Sequence, residues 1–372
     1  MQSRKFSKRI ITRLCHFISQ FQFSEKKMEN EVYFKLHACC VPVKGAYRSC
    51  LYDLQRRSLE LIPNEMTDLL EELRTYPIKQ LKEQYDKSEC EVIDEYLQFL
   101  IDNDYGFFCE TSELARFPDL DFEFDWPNQI TNVVIDTDKL SRHDYADIFT
   151  KLRAINCETI QMRYFYDIDE HSLKNILSLA KQYDFDNISL VIPYTDILSR
   201  LIIEIEQNIP LTEVIFWGES DLEYELSKAR FKEIDINFSF ITTSLLDEAC
   251  CGFVSIDNFT VNINMFSEAT RYNSCLNRKL SIDKKGLIKN CPSSGTNYGH
   301  ISRVGELLKI IELANFKRYW QVNKDKIEIC KDCEFRYCCI DCRVFVSDPL
   351  NEYSKPSSCL YDPYTAKWEV KP

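Results

Sequence analysis

The stretch EICKDCEFRYCCIDCRVF, residues 328–345, carries five cysteines: Cys330, Cys333, Cys338, Cys339 and Cys342. An apolar core has no use for so many thiols at such close spacing. Two thiolates separated by two residues reach one metal through a tight turn, so Cys330-x2-Cys333 and Cys339-x2-Cys342 read as ligand pairs. Working outward, Cys359 follows in KPSSCLYDP. Upstream, Cys275 and Cys291 bracket CLNRKLSIDKKGLIKNC, a predicted hairpin turning at DKKG, where Gly286 is free to take positive φ. Four of these thiolates would close one tetrahedral zinc site. Seven or eight suit two cubane iron–sulfur clusters, at about four apiece. Spacing alone leaves both open.

Ahead of this cysteine-rich region the pattern is one of alternation. ITNVVID, ETIQMRYF, NISLVIP, EVIFWG, EIDINFSF and FTVNINMF read as short apolar strands. The first four are separated by helical segments such as RHDYADIFTKLRAI and DEHSLKNILSLAKQY, which predicts parallel β/α units forming a barrel or part of one. Further back, EVYFKLHACCVPVKG, YRSCLYDLQ and SLELIP read as strands. NEMTDLLEELRTY is an amphipathic helix with Asn64 as its expected N-cap. A second helix, CEVIDEYLQFLIDND, and a closing strand, YGFFCE, complete a small winged-helix-like unit. Such a unit offers a strand edge to an extended peptide.

The expected architecture is therefore α/β. Residues 1–30 are an N-terminal extension, read as an overlong start with Met28 as the true first residue. Residues 31–109 form the winged-helix-like unit, 110–129 an acidic, aromatic linker, 130–270 the partial β/α barrel and 271–372 the cysteine-rich domain.

Composition sets limits on function. The 372 residues carry a net charge of −13, which argues against a nucleic-acid partner, because phosphate backbones are met by a basic surface. No run of eighteen apolar residues occurs, so no integral membrane association is expected. Seventeen cysteines without a signal peptide point to metal in a reducing cytoplasm, not to a secreted disulfide scaffold.

Cys275, Gly286, Cys291, Cys330-x2-Cys333-x5-Cys339-x2-Cys342 and Cys359 together resemble a SPASM domain, the C-terminal module of many radical-SAM peptide-modifying enzymes. The wider text, YWQVNKDKIEICKDCEFRYCCIDCRVF, YSKPSSCLYDPYTAKWEV and KGAYRSCLYDLQRRSLELIPNEMTDLLEEL, resembles the peptide maturase of grasp-with-spasm systems over residues 31–372. The resemblance implies a degenerate radical-SAM-like partial barrel and a precursor peptide bound by its leader. It also implies an ATP-grasp ligase as partner and auxiliary [4Fe-4S] clusters. By the family's arrangement, Cys330, Cys333, Cys339 and Cys359 hold one cluster, and Cys275, Cys291 and Cys342 hold the other. Cys338 competes with Cys339 as the alternative ligand. The second set lacks a fourth cysteine, leaving an open iron, a ligand borrowed from Cys250 or Cys251, or no second cluster.

One part of the family pattern is missing. Radical-SAM chemistry needs a C-x3-C-x2-C loop after the first barrel strand, and here TDKLSRHDY follows ITNVVID, with no such motif anywhere. SAM binding therefore has no motif behind it, and WGES at Trp217–Ser220 follows the wrong strand to be more than a coincidental match to the family's GGE motif. Catalytic residues are not identified. The rival to a maturase is a non-catalytic adaptor for peptide and ligase, stiffened by iron–sulfur clusters or zinc. Asp136 and Asp138, at the end of the first barrel strand, are substrate-holding candidates. Cys39, Cys40, Cys50, Cys15, Cys90, Cys109 and Cys157 read as core thiols, and His143 and His171 as helix-start residues.

Overall fold

The computed structural model describes residues 31–205, 208–218, 231, 236–251 and 254–369. The N-terminal extension, with Cys15 and Met28, lies outside them, as do Glu219 and Ser220 of WGES. The chain divides into two compact units, one holding the described residues up to Lys44 with Arg48–Asp121, the other Gly45–Tyr47 with everything from Phe122 onward.

In the first unit, β1 (Val32–Leu36) pairs antiparallel with β5 (Gly106–Glu110). A separate antiparallel meander joins β2 (Cys40–Lys44), β3 (Ser49–Asp53) and β4 (Ser58–Ile62). Three helices follow: α1 (Asn64–Leu73), α2 (Ile78–Lys82) and α3 (Lys87–Asp102). Their apolar stripes bury Met66, Leu69, Leu70, Leu73, Leu81, Ile93, Leu97 and Leu100 against Phe34, Leu51 and Ile62. Asn64 is not the N-cap expected of it. Pro63, with φ −61° and ψ 151°, holds that position, and the Asn64 carboxamide oxygen instead accepts from the Ser49 hydroxyl at 2.7 Å. Proline before the first turn supplies the extended entry, which frees the Asn64 side chain for the sheet.

The second unit is built on a mostly parallel seven-stranded sheet. Strands β6 (Asn132–Thr137), β7 (Thr159–Tyr164), β8 (Asn187–Pro193), β9 (Leu211–Trp217) and β10 (Asn237–Ile241) lie side by side in sequence order, all parallel. Helices α4 (Tyr145–Arg153), α5 (Glu170–Gln182) and α6 (Asp196–Ile205) connect the first four strands, and successive helices pack on each other. Strands added always on the same side, through right-handed crossovers, put their helices on one face. β6 and β8 are accordingly near-continuous apolar runs, buried almost end to end as inner parallel strands are, while β10 at the edge is only partly covered.

The hairpin expected between Cys275 and Cys291 forms as β11 (Lys279–Ile282) and β12 (Ile288–Lys289), and β11 adds parallel to β6. The cysteine-rich region is thus stitched into the sheet by one of its own strands. Gly286 turns the hairpin at φ 78°, and a Cβ there would meet the His300 ring at 2.5 Å, so glycine is required on both counts. FTVNINMF does not form the expected strand. Asn262 accepts from the Met265 amide at 2.8 Å and caps α7 (Ile263–Arg271), whose Phe266 and Ala269 face inward. The cap, which recruits an otherwise orphaned amide, outweighs the short β-branched run. RVGELLKIIELAN yields only a short helix, α8 (Leu307–Ile311), and a last small hairpin pairs β13 (Tyr361–Asp362) with β14 (Lys367–Trp368).

Candidate metal centre

All sixteen described cysteines are free thiols. Cys330 opens a 3-10 turn, Cys330–Asp332, entered through Ile329 at φ 67°. A β-branched residue in the left-handed region stores strain, on the order of 1–3 kcal/mol. The turn closes with the Cys333 amide donating to the Cys330 carbonyl at 3.0 Å. The Cys333 sulfur then accepts from the Phe335 amide at 3.4 Å, and the Cys342 sulfur accepts from the Phe345 amide at 3.3 Å. Amides aimed at sulfur favour the thiolate, the form that ligates metal.

Between Cys339 and Cys342 lies Asp341, fully buried, which braces the whole region. Its carboxylate accepts from the Asn273 carboxamide at 2.7 Å and from Arg343 at 2.5 Å, and stands 3.9 Å from the Lys324 ammonium. Asn273 in turn accepts from the amides of Cys275 and Leu276 at 3.0 and 2.8 Å. Ser274 adds a second brace, donating to the Cys339 carbonyl at 3.2 Å and accepting from the Asp341 amide at 3.1 Å. Arg343 donates to the carbonyls of Glu352 and Ser354 at 3.0 and 2.8 Å, tying in the segment that leads to Cys359.

A buried lysine stands beside part of each predicted ligand set. Lys324, 4% exposed, interacts electrostatically with Cys339, Cys330 and Cys359 as well as Asp341. Burial disfavours its charge, yet these neighbours outweigh burial and hold the ammonium well above its ordinary range. Cys333 joins the same set through Cys339 and Cys330. Around Lys279, whose Nζ lies 3.6 Å from the Cys275 sulfur, stand Cys275, Cys291 and Cys251. Cys342 interacts with Cys275. Burial is the main force on these thiols, pushing Cys330 up to about 11 and Cys291 up to about 12. Burial therefore sets a proton in competition with any cation at these sulfurs, and binding would release it. Cys338 is fully buried and donates to the Phe335 carbonyl at 3.3 Å.

Cys251 sits against the sheet. Its sulfur lies 2.6 Å from Nη1 of Arg163, whose Nε and Nη2 clasp Asp136 at 2.6 and 2.7 Å. A hydrogen bond from Cys250, with Arg163 assisting against burial, lowers the Cys251 thiol below its ordinary range. Its loop is held near the hairpin by Ser293, which donates to the Glu248 carbonyl at 2.9 Å, and by Lys284, 3.2 Å from the Glu248 carboxylate. Asp136 is thus spent on Arg163, and Asp138 on its own turn, accepting from the Leu140 and Ser141 amides at 2.8 and 2.9 Å. His143 donates from Nε2 to the Asp136 carbonyl at 2.7 Å, and His171 pairs with Asn175 at 3.0 Å.

Two cavities flank this centre. One of about 220 Å³ is lined by Cys291, Asn290, Tyr298, Tyr319 and Arg343 among others. Another, of about 450 Å³, opens past the carboxyl ends of the parallel strands, walled by Phe165, Tyr166 and Trp217 with Asp138 and Lys139 at its rim. Ligands of parallel sheets bind at that end. Lys324, Lys279, Asp341 and Arg163 carried no sequence motif; only the position of Asp341 inside CIDC hinted at a part in the site.

No protein-family model matches the chain. No curated protein matches it in sequence. A solved structure, that of Streptococcus suis SuiB bound to S-adenosylmethionine, is similar at 13% identity and a TM-score of 0.33, over 88% of this chain and 98% of that one.

Proposed function

We propose that the chain is a component of ribosomal-peptide maturation that holds auxiliary iron–sulfur clusters in a SPASM-type C-terminal region. Cys330, Cys333, Cys339 and Cys359 would hold one [4Fe-4S] cluster, and Cys275, Cys291 and Cys342 a second. The observation that carries this reading is a buried lysine beside most of each set, Lys324 by Cys339, Cys330 and Cys359, and Lys279 by Cys275 and Cys291. A cubane with four thiolates is anionic, and a buried ammonium beside it offsets that charge.

When bound, such clusters supply one-electron redox capacity or, where an iron lacks a protein ligand, a Lewis-acid site. The chain's own part is to bind and orient. The antiparallel strands of the first unit present backbone edges to which a precursor's leader adds as a further strand. The aromatic cavity at the strand ends receives the segment to be modified. An ATP-grasp ligase is the partner that this division of labour calls for, in a reducing compartment that keeps the thiols free.

A second reading, a non-catalytic adaptor for peptide and ligase, is favoured by the loop after β6. That loop closes on its own Asp138–Ser141 turn and contains no cysteine. Anaerobic reconstitution, with iron, sulfide and zinc counted per chain and EPR recorded with and without SAM, tests both. About eight irons without a SAM response fit the adaptor. Cleavage of SAM fits a maturase, and zinc without iron sinks the cluster reading.

A further inference from the structure

Among the described residues one set of three ligand-type groups has its donor atoms all within 4.8 Å of one another: the thiols of Cys39 and Cys40 and the carboxylate of Asp53. It lies in the first unit. Register assembles it. Cys40, the first residue of β2, stands directly across from Asp53, the last residue of β3. The Leu54 amide donates to the Cys39 carbonyl at 3.0 Å and carries the pairing one residue further. Cys39 belongs to the turn between β1 and β2, where the Cys40 amide bonds back to the His37 carbonyl at 2.8 Å. In a regular strand successive side chains point to opposite faces. This turn brings two of them together.

We propose that Cys39, Cys40 and Asp53 bind one thiophilic divalent cation, zinc being the physiological case, with the fourth position open to water. The donor set is right for zinc, which takes thiolate sulfur and carboxylate oxygen at neighbouring tetrahedral positions. One oxygen of Asp53 is fixed by the amides of Gln55 and Arg56 at 3.1 and 2.8 Å, which locks the carboxylate in orientation. The other faces the Arg56 guanidinium at 3.4 Å, looser than a close ion pair. Two thiolates and a carboxylate carry three negative charges; a divalent cation offsets two of them, and Arg56, which pairs more closely with Asp104, contributes only in part. Asp53 and Cys40 are buried, at 2% and 4% exposure, while Cys39 is half-buried beneath the exposed turn of Gln55, Arg56 and Arg57, which gives an ion its entry. The Gln55 amide oxygen already lies 3.7 Å from the Cys39 sulfur. Binding releases both thiol protons, so affinity rises with pH. The cation would clamp the β1–β2 turn to the β3–β4 hairpin.

The test uses the full chain, reconstituted with iron and sulfide so that the C-terminal thiols are engaged, then titrated with zinc alone. Zinc and iron per chain and the thermal midpoint are measured for wild type, Cys39→Ser and Asp53→Asn. One zinc per chain is expected in wild type, raising its midpoint. Either substitution should weaken zinc by tenfold or more, roughly what even supporting residues of zinc sites are worth, with iron unchanged. Zinc held equally by wild type and both variants, or no zinc in wild type, overturns the proposal. The same titration on Cys330→Ser/Cys339→Ser separates this site from the cluster reading: the N-terminal zinc persists there whether or not iron is lost. Because Cys39 is half-buried, its serine variant keeps the core, and an unchanged midpoint without zinc confirms that it folds.

Discussion

Asp136 and Arg163 stand directly opposite each other on the neighbouring parallel strands β6 and β7, and close a buried two-point ion pair at 2.6 and 2.7 Å. The pair lies at the carboxyl end of the sheet, where Arg163 turns its remaining nitrogen to Cys251. The strand-end carboxylate read as a substrate-holding candidate instead positions the Arg163 guanidinium.

Removing one partner strands the other charge in the interior, a loss of about 3–5 kcal/mol. Arg163→Met should therefore lower the urea unfolding free energy of the second unit by that order. A change under about 1 kcal/mol would mean that the pair is reached by water.

Lys324 interacts electrostatically with the Cys339, Cys330 and Cys359 thiols. Lys324→Met should move the reduction potential of that cluster to more negative values, read by EPR-monitored potentiometry, because one positive charge no longer offsets the added electron. Cys339→Ser should cost about four irons per chain. Cys338→Ser should cost none, since the Cys338 thiol is turned to the Phe335 carbonyl. Iron lost in Cys338→Ser but kept in Cys339→Ser would exchange their roles.

Glu268 gives a pH dependence of definite sign. Burial lifts its carboxyl from 4.5 to about 7, against the pull of Asn277, which donates to it at 2.9 Å. A folded value above the unfolded one means that its contribution is fully present below about pH 4.5 and is lost as pH rises through 7. The span is worth roughly 2–4 kcal/mol. Glu268→Gln keeps the hydrogen bond and should flatten this limb in denaturation curves collected from pH 5 to 8. An unchanged slope would show Glu268 to be solvated.

At the start of α3, Asp86 accepts from the Glu89 amide at 2.9 Å while the Glu89 carboxylate accepts from the Asp86 amide at 2.9 Å. This capping box satisfies two amides reciprocally. Asp86→Ala should cost about 1 kcal/mol, seen as a lower thermal midpoint of the first unit.

Several of these features were legible in the sequence and several were not. The helix of NEMTDLLEEL could be read from its 3.6-residue period, but not its cap, because Asn64 and Ser49 meet only when β3 packs beside α1. FTVNINMF has the composition of a strand, and only the capping bond of Asn262 reveals a helix. Cys251 gave no sign of its surroundings, since Arg163 lies 88 residues away along the chain.

What the sequence determined by itself is local: the apolar periods of β6 to β9 and their helices, the glycine turn at Gly286, and the C-x2-C spacing that makes pairs of thiols. Each follows from interactions within a few residues, where the chain has little freedom. What only the tertiary structure decided is which distant groups share a space. β11 pairs with β6 and draws Cys275 and Cys291 to the sheet; Asp341 braces Asn273 and Arg343 between the thiol segments; Cys40 falls opposite Asp53. Those meetings depend on strand register and on burial of charge, which come into being only when the chain has packed.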